Sequence, residues 1–218
     1  MGAAFTQKID DQREQARTTT VYRPILVETS DIAAFCLLRN ISTSGMMAKS
    51  YVDFAEETAI EVTFGCDFSV EGKVVWSRNR QIGIQFDNSV DVPQLLERLT
   101  HGGDFGLPKR APRLQMRSAA HVSLDGRQVP VELLDISQNG VKVRTPYLKP
   151  LDEVTIELQG MALKWAVVRW TQAGIAGLRF LVPLSFDQLG EWVIDQQIGR
   201  EKIPKNWPDK PEQKAVLK

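Results

Sequence analysis

The residues that could do chemistry are few, and they fall in two similar sets. Arg13 and Arg17 lie four apart ahead of the first apolar run, and Asn40, Ser42 and Gly45 form an N-x-S-x-x-G stretch downstream. Lys109, Arg110 and Arg113 precede Asp135, Ser137 and Gly140 in the same order. An arginine fork binds phosphate oxygens bidentately, pairs with the O6/N7 edge of guanine, and stacks on a base plane. A turn offering Asn40, Ser42 and backbone N–H groups beside such forks could hold a guanine nucleotide bearing phosphates. Each feature also has a plainer reading. Asn, Ser and Gly make a hydrogen-bonded turn in which Gly45 supplies a positive φ. Arg13 and Arg17 by themselves read as a solvated, charged lead-in. The plain reading does not explain why Asn or Asp, Ser and Gly recur together behind basic residues.

The recurrence extends along most of the chain. Arg17 and Arg113 are 96 apart, Asn40 and Asp135 are 95 apart, and Trp76/Trp170, Gly83/Gly177 and Phe86/Phe180 are each 94 apart. So small a drift means a duplicated domain with loop indels; the period is too long for a solenoid unit. Within each copy, short runs rich in Val, Ile and Thr alternate with polar turns. They predict strands over 19–28, 35–39, 45–49, 59–63, 71–76 and 81–86. The second copy predicts strands over 119–123, 127–135, 141–144, 153–158, 164–170 and 176–180. Apolar residues three and four apart then predict a helix over 92–99 and another over 186–194. The expected fold is all-β with minor α: two tandem six-stranded antiparallel barrels or sandwiches, each followed by a C-terminal helix. Alternation places Val74, Trp76, Ile84 and Phe86, with Val168, Trp170, Leu178 and Phe180, in the cores. The expected organisation is a first domain over 13–100, a linker over 101–108, a second domain over 109–198, and a partly disordered tail over 199–218. Residues 1–17, polar and without an apolar face, are expected to be mobile until a ligand orders them.

Composition removes several function classes. The 218 residues carry 27 Lys and Arg against 27 Asp and Glu, so a generally basic nucleic-acid binder is not expected. The balance is uneven. Residues 1–105 hold 10 basic and 15 acidic side chains, and residues 106–218 hold 17 and 12, which favours contact between the halves or different partners for each. No stretch approaches the roughly 18 consecutive apolar residues of a membrane span, so no membrane insertion is expected and a cytoplasmic location is. Cys36 and Cys66 sit in apolar strand-like runs and read as reduced core residues. The two histidines, His101 and His121, share no spacing with a nucleophile or metal ligands, no phosphate loop or dinucleotide fingerprint is present, and no cofactor or metal is expected. The chain reads as a binding protein, not an enzyme.

The ordered set of Arg13-Glu14-Gln15-Ala16-Arg17, Asn40-Ile41-Ser42-Thr43-Ser44-Gly45 and the later Trp76 and Gly83–Phe86 elements resembles the PilZ family. The second copy repeats it with Lys109-Arg110-Ala111-Pro112-Arg113, Asp135-Ile136-Ser137-Gln138-Asn139-Gly140, Trp170 and Gly177–Phe180. The resemblance implies a bacterial receptor in which a six-stranded barrel binds cyclic di-GMP. The RxxxR arm would wrap the ligand, the [DN]xSxxG turn would hold a guanine, and ordering of the arm would pass the signal to a protein partner. It implies Arg13, Arg17, Asn40, Ser42 and Gly45 as the first ligand set. Lys109, Arg110, Arg113, Asp135, Ser137 and Gly140 form a second, weaker set, because Lys109 lacks the planar fork. The alternative is a degenerate scaffold of the same fold that binds protein partners and no nucleotide.

Overall fold

The computed structural model describes residues 22–65, 68–101 and 111–199. Arg13, Arg17, Cys66, Lys109, Arg110 and the tail beyond residue 199 lie outside the described residues, as do the expectations of mobility and disorder attached to them.

The first module contains β1 (Arg23–Glu28), β2 (Ala33–Ser42), β3 (Gly45–Lys49), β4 (Ala59–Thr63), β5 (Ser69–Arg78), β6 (Gln81–Phe86) and α1 (Val92–His101). The second contains β7 (Leu114–Leu124), β8 (Arg127–Ser137), β9 (Gly140–Arg144), β10 (Glu153–Leu158), β11 (Lys164–Gln172), β12 (Ile175–Phe180) and α2 (Phe186–Gly199). Each set of six strands closes into an antiparallel barrel, in the order β1-β2-β3-β6-β5-β4 and again β10-β11-β12-β9-β8-β7. Closure leaves no sheet edge open to pairing with another chain.

Period-two alternation builds both cores. Ile60 and Val62 point inward while Glu61 points out, and Val154 and Ile156 repeat this on β10. Three hairpins turn through residue pairs with positive φ, Asn79–Arg80, Asp125–Gly126 and Ala173–Gly174, the twist that matches right-handed strands. Asp91 caps α1 by accepting from the Gln94 N–H at 2.9 Å. Ser185 and Gln188 cap α2 reciprocally, each side chain taking the other's backbone N–H at 3.1 Å.

Val74, Ile84, Phe86, Val168, Leu178 and Phe180 are buried as expected, but Trp76 and Trp170 are not core residues. A bulge between Val74 and Trp76, and another between Val168 and Trp170, inserts one residue into the strand. The extra residue reverses the alternation, so each Trp lands on the outer face opposite a glycine, Gly83 or Gly177. A Cβ on Gly83 would sit 2.1 Å from Trp76 Nε1, and one on Gly177 2.2 Å from Trp170 Nε1. The indoles therefore lie flat on bare backbone, and Trp170 stays 41% exposed. Strand β7 begins five residues before its expected start, because a register shift between Gln115 and Ser118 interrupts the pattern there.

Helix α2 holds the barrels together. Leu26 and Phe35 of the first barrel pack into the core cluster of the second, while Ile194 of α2 packs into that of the first. Gln197 brackets Ala33, accepting from its N–H at 2.9 Å and donating to its carbonyl at 2.7 Å. Tyr51 lies against Gly190, and its hydroxyl donates to Asp187, which also pairs with Lys49 at 3.0 Å. Among the described residues, no helix is long and apolar enough to cross a membrane.

Candidate functional site

The paired motif folds into the same hairpin in both modules. Strands β2 and β3 are joined by Thr43–Ser44, and β8 and β9 by Gln138–Asn139. The Ser42 hydroxyl donates to the Gly45 carbonyl at 3.1 Å, and Ser137 donates to that of Gly140 at 3.1 Å. The turn is also tied to the chain leaving the barrel. Phe86 and Val90 donate backbone N–H groups to the Ser44 and Thr43 carbonyls, and Phe180 and Leu184 do so to those of Asn139 and Gln138. Gly45 has no positive φ, contrary to the turn reading. Its role is close approach. A Cβ there would meet the Ile84 carbonyl oxygen at 2.4 Å, and one on Gly140 would meet that of Leu178 at 2.0 Å. Glycine is required because strands β6 and β12 press their backbones against the turn.

Register decides what faces the first residue of each motif. Two-residue turns pair Ser42 with Gly45 and Ser137 with Gly140, so Asn40 falls opposite Met47 and Asp135 opposite Lys142. A bulge in each hairpin sets Arg39 or Leu134 between the paired positions. Asp135 is fully buried. Arg113 Nη1 reaches its Oδ1 at 2.6 Å, and Lys142 Nζ lies 2.7 Å from Oδ2, a charge contact and not an aligned hydrogen bond. A buried carboxylate is tolerable only with such partners. Where the first module has a neutral amide, Asn40, the facing residue is apolar Met47. The two differences go together electrostatically.

The described part of the structure thus brings Arg113, Asp135, Ser137 and Gly140 together, and Asn40, Ser42 and Gly45 together. Three cations were missed from sequence. Lys142 was legible, since a two-residue turn fixes its partner. Arg117 is on β7, 3.7 Å from Glu132. Arg39 in the β2 bulge lies over the ring of Tyr22, its guanidinium carbon 4.4 Å from the centroid. The strand registers place Leu134 and Arg117 at the positions of Arg39 and Tyr22, so this cation–aromatic pair belongs to the first module alone. An open cleft of about 540 Å³ adjoins the second motif, lined by Gln115, Met116, Arg117, Leu134, Lys142 and Ile175. Its size is that of a small-molecule site, and its walls combine cations with apolar side chains. A groove of about 460 Å³ under α1 sets three carboxylates, Glu61, Glu71 and Asp91, against one cation, Arg98; it contains no motif residue, and its net sign disfavours a phosphate ligand.

Cys36 is buried and without a disulfide, and burial pushes its thiol up to about 12, so it is an inert core residue. His121 is exposed on β7.

A family model described as the PilZ domain matches residues 11–102 and again 108–195. The chain belongs to the PilZ domain family. It is a tandem PilZ protein: the two matches fall on the two closed barrels. Solved structures similar to it include the PlzA protein of Borreliella burgdorferi in complex with c-di-GMP. That chain is 13% identical, with 84% of this chain and 94% of that one covered and a TM-score of 0.35. The Bacillus subtilis inhibitor of motility MotI/DgrA is 12% identical, over 84% of this chain and 100% of that one, with a TM-score of 0.31. YcgR of Escherichia coli, in complex with c-di-GMP, is 12% identical over 83% and 85%, with a TM-score of 0.32. No curated protein matches the chain. The family assignment rests on the domain match across both modules.

Proposed function

We propose that this tandem PilZ protein is a cyclic di-GMP receptor, without catalytic activity, in which the first module is the principal site. Arg13 and Arg17 supply two guanidinium forks to phosphate and base, Asn40 and Ser42 hold a guanine edge, and Gly45 lets the β6 backbone pack against the turn that carries them. Ordering of the arm on binding changes the surface offered to a protein partner. The observation that carries this reading is the family match together with a turn built identically in both modules. The first module is favoured because Asn40 is not locked in an ion pair and because Arg39 stands beside it. In the second module Asp135 already engages Arg113, and Lys109 offers only a point charge at the outer position.

That internal ion pair favours a second reading for the second module, a PilZ scaffold that binds protein and no nucleotide. Calorimetric titration of the full chain with cyclic di-GMP separates the two. Loss of a charge-assisted fork contact costs about 1.5–3 kcal/mol, roughly ten- to a hundred-fold in affinity. Arg17→Ala is expected to remove most of the binding and Arg113→Ala to change it little. The reverse pattern assigns the nucleotide to the second module, and no heat with the intact chain leaves only the scaffold reading.

A further inference from the structure

The duplication supplies an internal control for every surface position. Strand β11 and the connections flanking β10, β11 and β12 present outward residues whose counterparts in the first barrel are polar. At an offset of 94, Glu57, Ser69, Glu71, Lys73, Asp87 and Asn88 become Leu151, Leu163, Trp165, Val167, Leu181 and Val182. The backbone is the same in both. Asp87 N–H donates to the Glu71 carbonyl at 3.0 Å, and Leu181 N–H donates to that of Trp165 at 2.9 Å. The Glu57–Lys73 ion pair of the first barrel, at 2.7 Å, is replaced by Leu151 beside Val167. Trp165 and Leu181 are each 60% exposed and sit directly across from one another. An exposed apolar patch of this kind marks an interaction surface. The fold does not require it, because the first barrel closes with charges in the same places.

Register also fixes the rim. On one side, β10 places Glu153 level with Val167 and Thr155 level with Trp165. On the other, β12 places Arg179 level with Val167. Glu153 and Arg179 are both exposed. Acid, apolar stripe and base therefore follow one another across the face.

We propose that this face is a self-association surface and that its occupant is the same face of a second copy of the chain. A two-fold axis running along β11 in the plane of contact exchanges the two edges. It lays Glu153 of each copy over Arg179 of the other, while Trp165 and Val167 meet their own equivalents. An isologous interface needs self-complementarity of this kind. Two sheets packed face to face, within about 30° of parallel and about 10 Å apart, satisfy it. The inference does not depend on whether the chain binds a nucleotide.

The test is sedimentation equilibrium of the full chain over a micromolar concentration series, without nucleotide. The expected result is a reversible dimer that Trp165→Glu weakens by at least about ten-fold, the effect of losing an interface anchor. That variant copies Glu71 of the first barrel, so an unchanged circular dichroism spectrum is expected. Glu153→Arg should weaken the dimer, and adding Arg179→Glu to the same chain should restore it. A chain monomeric at every concentration overturns the proposal, as does a dimer indifferent to Trp165→Glu. A dimer that appears only after deletion of residues 200–218 also overturns it, assigning the face to the chain's own tail.

Discussion

Replacing Lys142 by methionine copies Met47 into the second hairpin and removes one of the two cations that hold Asp135. The carboxylate is fully buried, with Arg113 at 2.6 Å on one oxygen and Lys142 at 2.7 Å from the other. Breaking a fully buried ion pair costs about 3–5 kcal/mol. The cost here is smaller, because the Lys142 side chain is 33% exposed and Arg113 remains in place. A partly exposed charge contact to a buried carboxylate falls below that range, and about 2 kcal/mol is expected. For a cooperative unit of about 150–250 residues that is roughly 4–8 °C in Tm. Asp135→Asn alone should also destabilise, leaving Arg113 and Lys142 facing an amide. The double variant reproduces the Asn40/Met47 pairing and should recover at least half of the summed loss. Urea and thermal denaturation, followed by circular dichroism on all four proteins, give the coupling energy. A value of about 1–2 kcal/mol is expected, well above the ~0.5 kcal/mol scatter of independent sites. Strict additivity, or a neutral Lys142→Met, would refute the account of Asp135 as a buried carboxylate dependent on both cations.

Gly83→Ala should destabilise by about 1–3 kcal/mol, since the new methyl collides with the indole of Trp76, and Trp fluorescence should report displacement of that ring. Gln197→Ala strips the N–H and carbonyl of Ala33 of their partner on α2, and hydrogen exchange at the start of β2 should accelerate while the barrel cores stay protected. Docking of α2 on the first barrel should also depend on pH. The Tyr51 hydroxyl and the Lys49 ammonium hold Asp187 below its usual carboxylate range, so its contribution is present at neutral pH and is lost as pH falls through that lowered value. Hydrogen bonds to Tyr51 and Asp187 raise Lys49, and burial raises Tyr51; both contributions are full at neutral pH and are lost as pH rises through those raised values. The Asp187 side chain is 65% exposed, so water screens the contact and the effect is small. Fluorescence anisotropy or small-angle scattering should show the pair of barrels loosening slightly toward both extremes, and constant dimensions across the whole range would exclude a role for this contact.

Sequence by itself determined the duplication, the strand count and the residues of the paired turn, because these live in local pattern. Alternation, turn residues and a constant offset survive without knowledge of any long-range contact. It also gave Asp135 and Ser137 as motif residues, and through the two-residue turn it held the pairing of Asp135 with Lys142. Tertiary structure decided what alternation could not. Single-residue bulges moved Trp76 and Trp170 from the expected core to the outer face, and a bulge has no strong signature in a run such as Val74-Val75-Trp76. Gly45 looked like a turn glycine, yet its constraint comes from the Ile84 carbonyl, some 40 residues along the chain. Helix α2 follows the second barrel in sequence but joins the two, because Gln197, Ile194 and Asp187 find partners over 100 residues away on the first. The apolar face around Trp165 reads as ordinary strand until closure of the barrel shows which side of each strand meets water.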